Sequence, residues 1–204
     1  MNKYLILTGF LFLNTTMVMS QKYETQEYVV VDQIDQIEIR YYPSAPMIRV
    51  SSNQSRNNNF GKLFRYIAGN NTDEEKIAMT TPVYMSDENK TMEFVLPKRF
   101  LSAEIPAPND NDVVAYISEP KYYAAIKYSG YSNNKKEENH RKELVKTIQN
   151  SNLKILSEHF VLSYDAPTKF YNRRNEVLIQ VDYSNWEFEK KQIDFLIILK
   201  KNIR

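Results

Sequence analysis

The sequence predicts an α+β domain built from a duplicated βαββ unit. Three observations carry this. The composition is aromatic-rich and glycine-poor, with 15 tyrosines and 4 glycines in 204 residues, and aromatic rings pack well on a pleated sheet. Two segments have helical spacing, each flanked by strand-like runs. The order of elements is the same in both halves. Two such units give one antiparallel sheet system with two helices rather than a parallel sheet.

The elements follow in order along the chain. Residues 28–32 and 36–40 alternate or run apolar, with 33–35 as the turn between them. Tyr42-Pro43-Ser44-Ala45-Pro46 interrupts the pattern, and 47–51 reads as the next strand. Residues 53–59 form an Asn-rich loop able to cap a helix. Phe60, Leu63, Phe64 and Ile67 then form one apolar stripe, with Lys62, Arg65 and Tyr66 on the other faces. Gly69-Asn70 stands where a left-handed stop is expected. Residues 77–85 and 92–96 make a hairpin around 86–90, and 103–112, rich in Pro, Asn and Asp, is a linker.

The second half repeats this order. Residues 122–128 alternate as a strand, Gly130 breaks it, and 132–134 offer a cap. Residues 135–149 are helical, with Leu144, Val145 and Ile148 inward. Strands at 160–164 and 176–181 flank a turn at 172–175, and Pro82 of the first half is matched with Pro167 of the second.

The ends fall outside the repeat. Lys3, the apolar run 4–13 and Ser20 have the order of a secretory signal peptide. The run is shorter than the roughly 20 residues of a membrane span. The expected organisation is a signal peptide at 1–20, one domain at 21–183 and an extension at 184–204, with a secreted or periplasmic mature protein that has no transmembrane span. The apolar run 195–199 fits helix and strand alike. The chain has no cysteine, so it has no disulfide, thiolate metal site, cysteine nucleophile or lipidated cysteine. A formal charge of +2 argues against nucleic acid as a partner.

Several motifs carry a resemblance. Lys76-Ile77-Ala78-Met79-Thr80-Thr81-Pro82-Val83 is similar to the most recognisable run of SOUL haem-binding proteins. Ile39-Arg40-Tyr41-Tyr42 resembles their first-strand motif, and Tyr66-Ile67-Ala68-Gly69-Asn70 resembles the end of their first helix. Tyr164-Asp165-Ala166-Pro167 and Asn172-Arg173-Arg174-Asn175-Glu176-Val177 resemble their C-terminal hairpin. The match runs from about 23 to 182. It implies a distorted eight-stranded antiparallel barrel flanked by two helices, and binding of haem or another tetrapyrrole.

Haem asks for a flat apolar surface, cations for two propionates and often an axial ligand. The resemblance places the first two around the first helix and the neighbouring hairpin. The apolar candidates are Phe60, Leu63, Phe64 and Ile67, with Met47 and Met79 nearby; the cationic ones are Lys62, Arg65 and Lys90, then Arg56. The alternative is a plain core for the stripe and a solvated surface for the cations. Some family members carry a histidine after the first-strand arginine, where this chain has Tyr41. Tyrosine ligates ferric haem; the other reading is a strand tyrosine packed on the sheet. His140 reads as half-buried packing, and His159 precedes a strand; they lack metal-site spacing.

The leading expectation is an exported protein that binds haem or another tetrapyrrole reversibly and is not an enzyme. Alternatives are a module for another hydrophobic small molecule, an envelope protein-interaction domain, or a small-molecule hydrolase. No Ser-His-Asp, Cys-His or paired-carboxylate motif stands out. Glu176 is the acid to suspect for a hydrolase, and its simpler role is to tie down a turn beside Arg173 or Arg174.

Overall fold

The computed structural model describes residues 23–52, 58–86 and 90–183. The expected signal peptide and the extension from 184 lie outside these residues, as does Arg56. The elements are β1 (Glu24–Thr25), β2 (Val29–Ile34), β3 (Ile37–Tyr42), β4 (Pro46–Ser51), α1 (Asn59–Ile67), β5 (Thr80–Thr81) and β6 (Val83–Ser86). They continue with β7 (Thr91–Val95), a 3-10 turn (Lys98–Leu101), β8 (Val113–Ile117), β9 (Lys121–Ser129), α2 (Asn134–Asn150), β10 (Lys154–Ser163) and β11 (Arg174–Asp182).

One sheet holds nine strands in the order β2-β3-β9-β11-β10-β6-β7-β4-β8, every neighbouring pair antiparallel. This order exposes the duplication. β4-α1-β6-β7 and β9-α2-β10-β11 are equivalent units that meet back to back at the β10–β6 pair. The strand preceding each unit crosses to the other: β3 pairs with β9, and β8 pairs with β4. Eight strands belong to the repeat, and β2 adds a ninth at one edge. The separate pair β1–β5 is parallel and is tied by the Thr25 and Thr81 hydroxyls at 3.0 Å.

Strand alternation gives the sheet two buried faces. On one, Ile37, Ile39, Ala124, Ile126, Val177 and Ile179 pack under Leu144 and Ile148 of α2, and Ile48, Val50, Met92 and Phe94 pack under Leu63, Tyr66 and Ile67 of α1. On the other, Tyr42, Met47, Tyr84, Val95, Ala125, Leu162 and Leu178 converge on each other. Residues from distant strands meet there only because the sheet curls on itself.

α1 ends as its sequence requires. Gly69 has φ +114°, and a Cβ there would lie 3.3 Å from the Glu74 carbonyl oxygen. α2 is capped by the Asn133 side chain, which accepts from the Lys136 N–H at 3.0 Å.

Three expectations are corrected. Pro82 precedes β6, whereas Pro167 follows β10, the strand equivalent to β6; the prolines are therefore not matched. Residues 77–79 lie outside the strands, and the hairpin strand begins only at Val83. The buried face of α1 is rotated from the predicted stripe. Leu63, Tyr66 and Ile67 are buried, while Phe60 and Phe64 are 48% and 49% exposed. Tyr66 turns inward because its hydroxyl finds the Pro106 carbonyl at 2.8 Å, so the ring is buried without leaving the polar tip unsatisfied.

Candidate functional site

Residues successive on a helix are about 100° apart. That places Phe60 and Phe64 on one flank of the buried face of α1, with Lys62 on the opposite flank and Arg65 facing away. The two phenylalanines stack at 6.0 Å with 14° between their planes, and Phe60 also meets Phe94 edge-on at 5.3 Å. They form one wall of an open cavity of about 480 Å³. Met79, Met85 and Met92 continue the apolar lining, and the loop from β10 to β11 forms the facing wall with Tyr164, Pro167 and Arg173. Phe170 and Tyr171, in the same loop, are 75% and 67% exposed and meet edge-on at 5.2 Å.

Arg173 is the buried cation of this cavity and is 9% exposed. Its Nη1 donates to the carbonyls of Ala166 at 2.8 Å and Lys169 at 2.7 Å. Its guanidinium lies 4.9 Å from the Tyr131 ring centroid. The Nε is buried with no hydrogen-bond partner among the described residues. A fixed guanidinium with an unused donor is suited to a carboxylate. Asp165 also lines the cavity, but its carboxylate is engaged by Lys169 Nζ and the Arg174 N–H, each at 2.6 Å. Burial raises the Asp165 pKa; Lys169 and the Arg174 N–H outweigh this and hold it below its usual value.

Behind Tyr164 lies a buried ionic network. Tyr164 donates to Glu176 Oε2 at 2.9 Å. Glu176 also accepts from Arg40 at 2.6 and 3.1 Å and from Arg174 at 3.0 and 2.8 Å. Burial raises the Glu176 pKa, but Arg40 and Arg174 together hold it below its usual value. It is an anion at neutral pH and does not line the cavity, which is the opposite of a buried general acid. The expected tie to Arg174 is present; the tie to Arg40 comes from the other end of the chain.

The structure divides the sequence-derived candidates. Phe60, Phe64 and Met79 line the cavity. Leu63 and Ile67 are core, and Met47 lies on the inner face of the sheet. Lys62 pairs with Asp112, and Arg65 lies 3.5 Å from Asp110, so both point to the 103–112 segment rather than to the cavity. Lys90 braces α1 through its carbonyl, which accepts from Asn59 Nδ2 at 2.9 Å, and its side chain is not part of the lining. Tyr41 pairs in register with Tyr122, their rings 5.3 Å apart, on the α2 face of the sheet. Placement there supports the packing reading and offers no iron ligand to the cavity.

His140 stacks on Tyr128 at 4.5 Å and contacts the Lys136 carbonyl through Nδ1 at 2.7 Å. His159 lies within β10, and burial lowers its pKa. Among the described residues no cluster of three His, Asp or Glu side chains suits a metal, and no helix is long and apolar enough to cross a membrane. Sequence reasoning missed Met85, Met92, Tyr131 and Arg173 as cavity residues. Arg173 was visible in the Asn172–Glu176 motif, but only as a turn residue.

The curled sheet, its two packed helices and the largely apolar cavity beside α1 define an α+β protein with an open pocket at one helix. Residues 23–180 match the family described as SOUL heme-binding protein, and the chain belongs to that family. Heme-binding protein 1 of Xenopus tropicalis is 25% identical over 57% of this chain, and the match spans 65% of that protein's length. Heme-binding protein 2 of Homo sapiens is 28% identical over 70% of this chain and 77% of its own. The EcmrR C-terminal domain overlays with a TM-score of 0.47 at 13% identity, covering 72% of this chain and 97% of that one.

Proposed function

We propose that this protein binds haem or another tetrapyrrole reversibly in the cavity beside α1, in a binding rather than a catalytic role. The observation that carries this is Arg173, held by loop carbonyls with its Nε unused, in a cavity whose apolar lining includes Phe60, Phe64, Met79, Met85 and Met92. Family membership and the names of the relatives support the same reading. Phe60 and Phe64 take one face of the macrocycle, the methionines fill beneath it, and Arg173 takes a propionate. Haem would supply an iron centre and its absorbance.

Burying one face of a macrocycle removes a few hundred Å² of apolar surface, on the order of several kcal/mol. Association costs reduce this, so micromolar affinity is expected. Titration of purified protein with haemin tests the reading through the Soret band. A saturable shift that weakens in Arg173→Gln is expected; a linear, unsaturable response overturns it.

The N-terminal order of Lys3, apolar run and Ser20 supports a place outside the cytoplasm, secreted or periplasmic. N-terminal sequencing that begins near Gln21 is expected, and envelope material that still starts at Met1 overturns export by cleavage.

A further inference from the structure

We propose a second ligand site, inside the curl of the sheet, that takes a small organic cation such as a quaternary ammonium, with Glu93 as its counter-charge and tyrosines as its walls. The chamber has a volume of about 300 Å³ and shares no lining residue with the cavity beside α1. The alternation of β6 and β7 separates the two sites. Val83, Met85 and Met92 face the α1 cavity, whereas Tyr84 and Glu93, register partners, face the chamber.

The walls form a chain of aromatic rings. Tyr42 meets Tyr123 edge-on at 5.4 Å, Tyr123 meets Phe160 at 6.4 Å, and Phe160 meets Tyr84 at 5.8 Å. Tyr116 of β8 closes the far side. The negative faces of such rings attract a cation, and an aromatic cage favours one that is weakly hydrated.

Glu93 supplies the charge. It is 8% exposed, and its Oε2 accepts from the Tyr116 hydroxyl at 2.5 Å. Tyr84 does not assist, because its hydroxyl donates to Gln26 Oε1 at 2.5 Å. Among the described residues no basic group lies at ion-pair distance from Glu93. A carboxylate this buried, with one phenolic donor, lacks the positive partner that burial of a charge ordinarily requires. Burial pushes the Tyr123 phenol up to about 12, and raises Tyr84 and Tyr116 further, so the walls stay neutral.

The chamber also has basic groups, and their placement decides the sign of the ligand. Arg49 is the cross-strand partner of Glu93, but its side chain is exposed and its guanidinium rests 5.3 Å over the Tyr116 ring. Lys121 and Glu119 stand in the same lining with opposite charges, so together they add no net charge to it. The most deeply buried charge is therefore the carboxylate, whereas Arg49 is exposed, where water screens it, and Lys121 is half-buried.

Calorimetry on the full chain tests this with three probes of similar size. Benzyltrimethylammonium is expected to bind one to one, about tenfold tighter than its uncharged isostere neopentylbenzene. Benzenesulfonate is expected not to bind. Glu93→Gln should remove the preference for the cation, and Arg173→Gln should leave it unchanged, which separates this site from the haem reading. In the wild-type protein the trimethylammonium proton resonances should move upfield within the ring cage, a readout that does not depend on any variant folding. Equal binding of the uncharged isostere, tighter binding of benzenesulfonate, an unchanged preference in Glu93→Gln, or no upfield shift would each overturn the proposal.

Discussion

Arg40 and Glu176, 136 positions apart, are both fully buried and joined by hydrogen bonds of 2.6 and 3.1 Å. The pair joins β3, which precedes the first unit, to β11 of the second. Removing one partner strands the other's charge in the interior, which typically costs about 3–5 kcal/mol, whereas apolar replacement of both is often far milder. Glu176→Ala should therefore be strongly destabilising in urea unfolding. The double variant Arg40→Met/Glu176→Leu should lose less than the sum of its single variants.

The same network sets an acid limit. The folded-state pKa of Glu176 lies below its usual value, and Glu38 and Asp165 are shifted in the same direction. Such carboxylates contribute stability above their unfolded pKa of about 4, and that stability is lost as pH falls through the folded value. His159, a base with a lowered pKa, adds a loss that begins below about pH 6.5. The melting temperature should be flat from pH 7 to 8, decline slightly below 6.5 and fall steeply below about 4. Glu176→Gln should start lower at pH 7 and show a shallower acid slope.

Cation placement separates the two flanks of α1. Lys62 and Arg65 point to Asp112 and Asp110, so Lys62→Glu/Arg65→Glu should change haemin affinity less than twofold, with any effect vanishing at high salt. Arg173→Gln should weaken it about tenfold, the size of one charge-assisted hydrogen bond. Parallel Soret titrations at two ionic strengths would check both.

Phe64→Ala should weaken haemin binding while barely altering stability, because that ring is half exposed beside the cavity. Leu63→Ala should do the reverse, with a cost of about 2–5 kcal/mol for a buried leucine. Tyr41→Phe should leave the ferric spectrum unchanged, since Tyr41 packs on Tyr122 away from the cavity. Loss of a charge-transfer band in that variant would return tyrosine ligation to consideration.

Tyr183, the last of the described residues, is buried in the α2 core and donates to Asp32 at 3.0 Å. A chain ending at Tyr183 should keep a cooperative thermal transition. Ending it at Asp182 should lower the midpoint, since a buried aromatic truncated away costs about 3–5 kcal/mol. Differential scanning calorimetry of the two truncations would show the step.

Local chemistry along the chain determined most of the elements. Period-2 runs became β3, β4, β9 and β11, the Asn133 cap opened α2, and Gly69 closed α1, because each depends on neighbours within a few residues. The family motifs, dense around Arg40, Thr80–Pro82 and Arg174–Glu176, were legible for the same reason. Tertiary structure decided which faces meet. Tyr66 turned inward only because the 103–112 segment brought the Pro106 carbonyl over it, and that rotation left Phe60 and Phe64 at the cavity and sent Lys62 and Arg65 to Asp112 and Asp110. Arg173 reads as a turn residue until the β10–β11 loop folds its carbonyls around the guanidinium. Glu93 reads as one acid in a strand until the curl sets tyrosines from four strands about it. Periodicity specifies a face relative to the same element, whereas a site requires faces from distant elements, and only the curling of the sheet brings those together.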